Sequence, residues 1–465
     1  MNPPYSLSAT VGRWVAAALF GFGSTIAAWA AASRPHNIVF ILADDMGWNQ
    51  VGYHGSTWYE TPNIDRIARE GMQFRHAYAA APICSPTRAA LMTGKAPARL
   101  HLTDFIPGAR SENKPLVTPV MRQGLPLEEA TIPEMLRTRG YVSGIFGKWH
   151  LAPDYNYTPG RPMDPESQGF DEVFHSSVYV TIKDAHDKHG AIATTDRAVD
   201  FIERHKDKPF FCYVSHNVVH APLGEEPELV AKYKAKPGAD LPQHHPVMGA
   251  MIETMDRTIG RLLETLERLN LAERTIVVFT SDNGNIAAQQ SQMPWRGGKS
   301  MLWEGGVRVP LAVRWPGIVR PGGSSDEPVI IHDWFNTIME IAGVAYQPDY
   351  HDGASLMPLF TGKATTLGRE ALYWHYPHYH SLGGKPSSSV RAGRYKLIEW
   401  HEGALLGGGP AVSLFDLIED PGEARDLAGE KPDLASELRA KLRAWRKHVD
   451  AQEMKVREPA SSPRK

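Results

Sequence analysis

Cysteine is almost missing from this chain. Its 465 residues hold two, Cys84 and Cys212. So few exclude a disulfide framework and a multi-cysteine zinc site, which need more partners. An excess of charge of either sign is missing as well: 50 basic and 52 acidic residues leave a formal net charge of −2. That balance gives no electrostatic footprint for nucleic acid, whose binders are usually basic. It leaves room for a local cationic pocket around a small anion. Internal repeats are absent too.

What is present is an ordinary globular composition, 42% hydrophobic and 22% charged. The length allows a large core and suggests more than one domain or subdomain. The N-terminus reads as a secretory signal over residues 1–32. Arg13 supplies a weak positive start, Trp14 to Trp29 is apolar, and Ala30-Ala31-Ala32 offers a small-residue cleavage site. The competing reading is an uncleaved anchor helix, which Gly21, Gly23, Ser24 and Thr25 in its middle weaken. No cysteine follows the apolar run, which excludes a lipoprotein anchor. The expectation is a periplasmic or secreted protein with no stable membrane insertion after cleavage.

Three apolar runs end in polar residues. Asn37 to Ala43 runs into Asp44-Asp45, Pro209 to Ser215 into His216-Asn217 and then His220, and Thr275 to Ser281 into Asp282-Asn283. Continuous apolar runs of this length fit central strands covered on both faces. Open α/β sheets place their sites past strand C-termini, where these polar residues collect. Helical segments lie between the runs. Thr61-Pro62-Asn63 opens one that Gly71 is expected to stop. Met248 to Leu269 has a helical apolar period, with Met251 and Met255 as core filler. Alternating strands and helices imply an α/β sandwich around a mixed, mostly parallel sheet.

The pattern changes near residue 366. Ala371 to Tyr376, Ser389 to Trp400 (with a turn at Gly393) and Ser413 to Leu417 read as short strands, and Pro432 to Val449 as an amphipathic helix. This predicts a main domain over 33–365, a smaller antiparallel sheet with one helix over 366–452, and a polar, disordered tail over 453–465.

Asp44 and Asp45 are adjacent carboxylates at the end of a buried strand and require a partner. Asp282-Asn283 ends another strand the same way. Together they form an all-oxygen set that suits calcium, or less well magnesium, rather than zinc; each pair alone also reads as a cap for the chain that follows. Cys84 stands in Pro82-Ile83-Cys84-Ser85-Pro86-Thr87-Arg88. Pro86 suits the first turn of a helix, so Cys84 lies at a helix N-terminus, where free N–H groups favour an anion. Arg88 returns to that end about one turn later.

The segment resembles the signature of the type I, formylglycine-dependent sulfatases of the alkaline phosphatase-like superfamily. The Cys-x-Pro-x-Arg core is complete; Thr87 stands where many relatives have Ser. Gly147-Lys148-Trp149-His150 resembles the family's Gly-Lys-Trp-His, continued here by Leu151-Ala152 where relatives commonly have Leu-Gly. His220 in His-Ala-Pro resembles its second histidine. Lys299, followed by Glu304-Gly305-Gly306-Val307-Arg308-Val309-Pro310, resembles its second lysine. The resemblance runs in family order from about residue 37 to about residue 420.

The resemblance implies an alkaline phosphatase-like α/β/α fold and hydrolysis of sulfate monoesters. It implies that Cys84 is oxidised to formylglycine by a formylglycine-generating or anaerobic sulfatase-maturating enzyme. One calcium would be held by Asp44, Asp45, Asp282 and Asn283 with residue 84. Lys148 and Lys299 would bind sulfate, and Arg88 would orient the nucleophile. Asp282 would take a proton from the attacking hydroxyl, and His220 would protonate the leaving oxygen, Lys299 being the weaker alternative. His150 would deprotonate the second hydroxyl of the hydrate, which releases sulfate and restores the aldehyde; an ordinary alcohol or thiol has no such hydroxyl.

Candidate substrate residues are His101, Asp104, Arg110, Trp295 and Arg296, together with the run Tyr373 to His380, which includes His378 and His380. Aromatics and imidazoles suit sugar rings, and the resemblance to bacterial arylsulfatase A-like carbohydrate sulfatases points to a sulfated small molecule or oligosaccharide. The same run also reads as an interdomain packing seam, and three close histidines as a zinc site. Two other functions stay open. One is a phosphonate or phosphate monoester hydrolase of the same superfamily. The other is a catalytically silent sulfated-glycan-binding protein, as would follow if Cys84 were locked to Cys212.

Overall fold

The structure, a computed structural model, describes residues 35–109, 111–177, 184 and 186–458. The expected signal segment and Arg110 lie outside the described residues. No helix among the described residues is long and apolar enough to cross a membrane.

Eight strands form the central sheet: β1 (Asn37–Ala43), β2 (Met72–Phe74), β3 (Val142–Gly147), β4 (Glu172–His175), β5 (Phe210–Ser215), β6 (Thr275–Ser281), β7 (Leu311–Arg314) and β8 (Gly323–Ser325). Their spatial order is β8-β2-β7-β6-β1-β5-β3-β4. All neighbours run parallel except β7, which is antiparallel to β2 and β6. The sheet is therefore mixed and mostly parallel, as expected. The three apolar runs became β1, β5 and β6, and every residue in them is buried.

Side-chain alternation along these strands feeds two cores. Phe40, Leu42, Tyr213 and Val278 pack with helices Cys84–Thr93 and Asp333–Ala342 on one face. Val39, Ile41, Cys212, Val214 and Val277 pack with helices Pro62–Arg69, Ala191–His205 and Pro246–Arg268 on the other. Met251 and Met255 are fully buried filler there. The result is an α/β/α sandwich.

Helix Pro62–Arg69 differs in detail from expectation. Thr61 makes no side-chain cap. Its hydroxyl accepts from Gly52 N and donates to Asp65. The orphan N–H groups of Asn63 and Ile64 go instead to the Asp256 carboxylate, at 3.0 and 2.8 Å, from the long helix behind. Gly71 does not act as a left-handed cap: a Cβ there would sit 1.9 Å from Val313 O, so glycine is required for the close approach of β7.

The C-terminal sheet has four antiparallel strands, β9 (Leu372–Tyr376), β10 (Ser387–Ala392), β11 (Tyr395–Trp400) and β12 (Val412–Asp416), covered by helix Pro432–His448. It packs directly on the segment around Cys84. Trp374 and Tyr376 share a buried cluster with Cys84, Tyr78 and Leu302, and Trp374 Nε1 donates to Ala79 O at 2.8 Å. Of the expected tail, residues 459–465 lie outside the described residues. Lys455–Val456 pairs antiparallel with Leu116–Val117, because backbone N–H and C=O groups satisfy a ladder whatever their side chains.

Candidate active site

Strand register puts the polar ends level. Ala43 lies opposite Ser281, and Leu42 and Gly147 both lie opposite Ser215. Asp44, Asp282, Lys148 and His216 therefore emerge side by side, about 4.8 Å per strand apart. Two non-glycine residues here hold left-handed backbone, Asp45 at φ 62° and His150 at φ 60°, a strain that collects at functional sites.

Helix Cys84–Thr93 aims its N-terminus into this cluster, and Ile83 gives it no side-chain cap. The turn before it is tied by Thr87, whose hydroxyl accepts from Ala81 N and donates to Ala81 O. Sγ of Cys84 and ligand atoms of Asp44, Asp45 and His220 all lie within 4.8 Å of one another. Both cysteines are free and lie in different buried clusters, so the Cys84–Cys212 disulfide does not form.

Three cations enter the cluster. Lys148 Nζ donates to Asp44 Oδ2 at 2.7 Å and Lys299 Nζ to Asp45 Oδ2 at 2.7 Å. Arg88 reaches back one turn as expected: Nε and Nη2 both donate to Asp282 Oδ2, while Nη1 donates to Lys148 O and Ser215 Oγ. Asn283 Nδ2 donates to Asp45 Oδ1 at 2.7 Å and Asp45 N to Asp282 Oδ1 at 3.1 Å. His220 Nε2 is 3.8 Å from Asp45 Oδ2. His150 Nε2 meets Ile106 O at 2.9 Å.

Burial and these charges set the protonation states. Burial raises Asp44, but the charges of Lys148, Arg88 and Lys299 outweigh it and hold its carboxyl below the ordinary range. Burial, then the Asp44 charge, pushes Asp282 up to about 6. Burial pushes the Cys84 thiol up to about 12 against the pull of Lys148 and Lys299, so an unmodified thiol there is protonated. Burial, then Lys148, drives His150 well below its ordinary value, and burial, then Lys299, lowers His220 to about 4. Both rings are neutral.

The donor set fits a hard cation. Asp44 Oδ1 and Asn283 Oδ1 are buried without a hydrogen-bond partner among the described residues, and with Asp45 and Asp282 they offer an all-oxygen donor set of the kind calcium takes. Both Asp282 oxygens already accept bonds, though each carboxylate oxygen keeps a second lone pair.

The substrate candidates separate. His380 faces the site, with its ring 5.5 Å from Phe105 and its pKa lowered to about 4 by burial and then Lys299. Asp104 is buried, accepting from Phe105 N, Ala109 N and Tyr376 Oη. His378 is locked to Thr103, and His375 to Ser388 and Gln452 O, so most of that run is a packing seam. These histidines do not form a metal group among the described residues. His101 binds Asp450 O, beyond the C-terminal helix. Arg296 lies outside the cluster, its guanidinium 3.9 Å over Trp303 and Nη1 on Glu423 O. Trp295 packs under Arg308 and against Trp48.

Sequence reasoning missed Ser215, whose hydroxyl accepts from Arg88 and donates to Lys148 O; its place at a strand end was the available signal. It also missed Tyr155 and His175, which line the cleft beside Lys148 and His150 together with Asn217. Tyr155 and His175 come from stretches with no motif.

The chain matches the Sulfatase family over residues 36–344 and the N-sulphoglucosamine sulphohydrolase C-terminal family over residues 296–448. It is 31% identical to a sulfatase of Formosa agariphila over 89% of each chain. It is 33% identical to the N-acetylgalactosamine-6-sulfatase of Homo sapiens over 75% of this chain and 72% of that one. Among solved structures it is similar to Ps i-CgsB in complex with k-i-k-neocarrahexaose, with 26% identity, TM-score 0.75, and coverage of 90% of this chain and 94% of that one. Three buried cations around an acidic cluster at a helix N-terminus, on this sheet and with these matches, lead to one conclusion: the chain belongs to the sulfatase family, hydrolases of sulfate esters.

Proposed function

We propose that the protein removes sulfate from a sulfated carbohydrate, using formylglycine made from Cys84 and a calcium ion. The observation that carries this reading is the pairing of Lys148 with Asp44 and Lys299 with Asp45 beside a buried position 84. Two ammonium groups, Arg88 and the helix N-terminus offset the charge of a bound sulfate. Asp44, Asp45, Asp282 and Asn283 would hold the ion, which when bound draws sulfate oxygens and takes up part of their charge.

The residues then have separable roles. Arg88, fixed by Asp282, Ser215 and Lys148 O, orients position 84. A hydrated aldehyde there supplies two hydroxyls on one carbon. Asp282 accepts the proton of the attacking hydroxyl. His220 delivers a proton to the departing alkoxide oxygen; its ring gains that proton when an anionic substrate offsets Lys299. His150, held neutral by burial, takes the proton of the second hydroxyl as sulfate leaves. The relatives' names support a sugar substrate: one is an N-acetylgalactosamine-6-sulfatase, and a similar structure is in complex with k-i-k-neocarrahexaose.

The maturation enzyme would read the Cys84 to Arg88 segment before folding, because Cys84 is 1% exposed in the folded chain. A periplasmic or secreted location fits that order of events. Mass spectrometry of the peptide holding residue 84, with turnover of aryl sulfate against aryl phosphonate, tests the reading. Formylglycine and preferred sulfate turnover are expected; a free thiol in active protein, or preferred phosphonate turnover, would overturn it.

A further inference from the structure

A groove of about 500 Å3 lies between the loop at Gly383–Ser387 and the glycine-rich loop at Gly407–Pro410. Its walls include Trp303 and Trp400, with ring centroids 5.3 Å apart and both partly exposed. Trp400 is held in place by Nε1 donating to Ser413 Oγ at 3.1 Å. The exposed Arg296 guanidinium lies on Trp303. Lys385 stands at the rim, 3.6 Å from Glu402, whose other oxygen accepts from Tyr379 Oη.

We infer that this groove is a second saccharide subsite, which takes a neighbouring, sulfated unit of the same glycan while another unit is desulfated at position 84. Three observations converge. The first is chemistry: aromatic faces bind the apolar faces of sugar rings, a carboxylate accepts from hydroxyls, and Arg296 and Lys385 supply cations for sulfate. The second is size, since 500 Å3 lies in the range of small-ligand sites. The third is continuity. Met301 lines the groove two residues after Lys299. The loop from His380 to Gly384 is closed by His380 N donating to Gly384 O and Gly383 N to His380 O. It is pinned on Ser300, because a Cβ at Gly384 would lie 2.4 Å from Ser300 O. One short loop thus presents His380 to the catalytic cluster and Gly383 to Ser387 to the groove. A glycan leaving the cluster past His380 meets the tryptophan wall next.

The inference rests on the carbohydrate sulfatase reading, and the test separates the two. Wild type, Trp400→Ala and Lys385→Glu are assayed on N-acetylgalactosamine 6-sulfate, on D-glucosamine 2-N,6-O-disulfate, and on a sulfated tetrasaccharide of each series. Lys385 is a rim residue, with 65% of its side chain exposed, so its variant keeps the fold even if Trp400→Ala does not. The expected result is a higher kcat/KM for wild type on a tetrasaccharide than on its monosaccharide. Each variant then loses about tenfold on the tetrasaccharide, through KM, and stays within twofold on the monosaccharide. Equal loss on both lengths, no loss on either, or a wild type indifferent to length would overturn the subsite. A wild type that turns over aryl sulfate but no sulfated sugar would instead overturn the carbohydrate reading, and the subsite with it.

Discussion

Arg88 donates from both Nε and Nη2 to one oxygen of Asp282, at 2.9 and 2.7 Å, with both side chains almost fully buried. This pair joins the helix that starts at Cys84 to the end of β6, and so sets the distance between position 84 and the carboxylates. Replacing Arg88 with Gln leaves the Asp282 charge buried and uncompensated. A loss of about 3–5 kcal/mol is expected, with turnover abolished. Urea unfolding with an aryl sulfate assay measures both; an unchanged unfolding midpoint would show that the pair does not anchor the site.

Lys299 is expected to act on substrate rather than on the metal. Lys299→Ala should lower aryl sulfate kcat/KM by about 10²–10³, the usual effect of removing one oxyanion-type donor. Calcium content, read by elemental analysis, should stay at wild-type level. Loss of calcium in this variant would mean that the assignment of the carboxylate cluster is wrong.

Gly147 has φ 111°, and a Cβ there would lie 1.9 Å from Ser215 O. Gly147→Ala should therefore push β3 away from β5 and displace Lys148, which donates from its backbone N to Ser215 O. Destabilisation on the order of 3 kcal/mol is expected, with loss of activity exceeding loss of folded protein. Activity per folded molecule equal to wild type would count against this account.

Lys396 joins the C-terminal sheet to the helix at Glu304. Its Nζ lies 2.9 Å from both Glu304 and Glu423, and all three are fully buried. Lys396→Met should cost about 3–5 kcal/mol by leaving two carboxylates facing each other. Adding Glu423→Gln should restore part of that loss. Thermal unfolding of the single and double variants decides it, and no recovery in the double variant would argue against charge repulsion as the cause.

Acid should destabilise the fold from pH 6.5 downwards. Burial lowers His54, His76 and His378 to about 3 and His375 to about 4. The unfolded chain then binds more protons than the folded one between about pH 3–4 and 6.5. Stability is complete above that window and falls as pH drops through it, by up to about 1.4 kcal/mol per pH unit per histidine. His378→Gln should flatten the slope between pH 6.5 and 5. Urea midpoints that stay constant from pH 7 to 5 would contradict the direction.

Much of the fold was legible because strand runs and helical periods are local. Asn37–Ala43 and Thr275–Ser281 were readable residue by residue, since a strand buried on both faces needs apolar side chains throughout. Their polar ends, Asp44-Asp45 and Asp282-Asn283, marked the sheet edge where a site sits. The motif residues Cys84, Arg88, Lys148, His150, His220 and Lys299 each stand in a short local motif, and the fold brings all of them to that edge.

Other features depended on neighbours far away in the chain. Asp256 caps a helix 193 residues earlier, Gly71 is small for the sake of Val313, and Ser215 steadies Arg88. His101 and Arg296 were near the motifs in sequence yet face Asp450 and Trp303. The sequence by itself determined which family this chain belongs to, because the Cys84 signature, cations and carboxylates are properties of residue type and local spacing. Only the tertiary structure decided which side chains share one buried space. Register between strands and the docking of the C-terminal sheet set those distances, and both arise from packing between segments hundreds of residues apart.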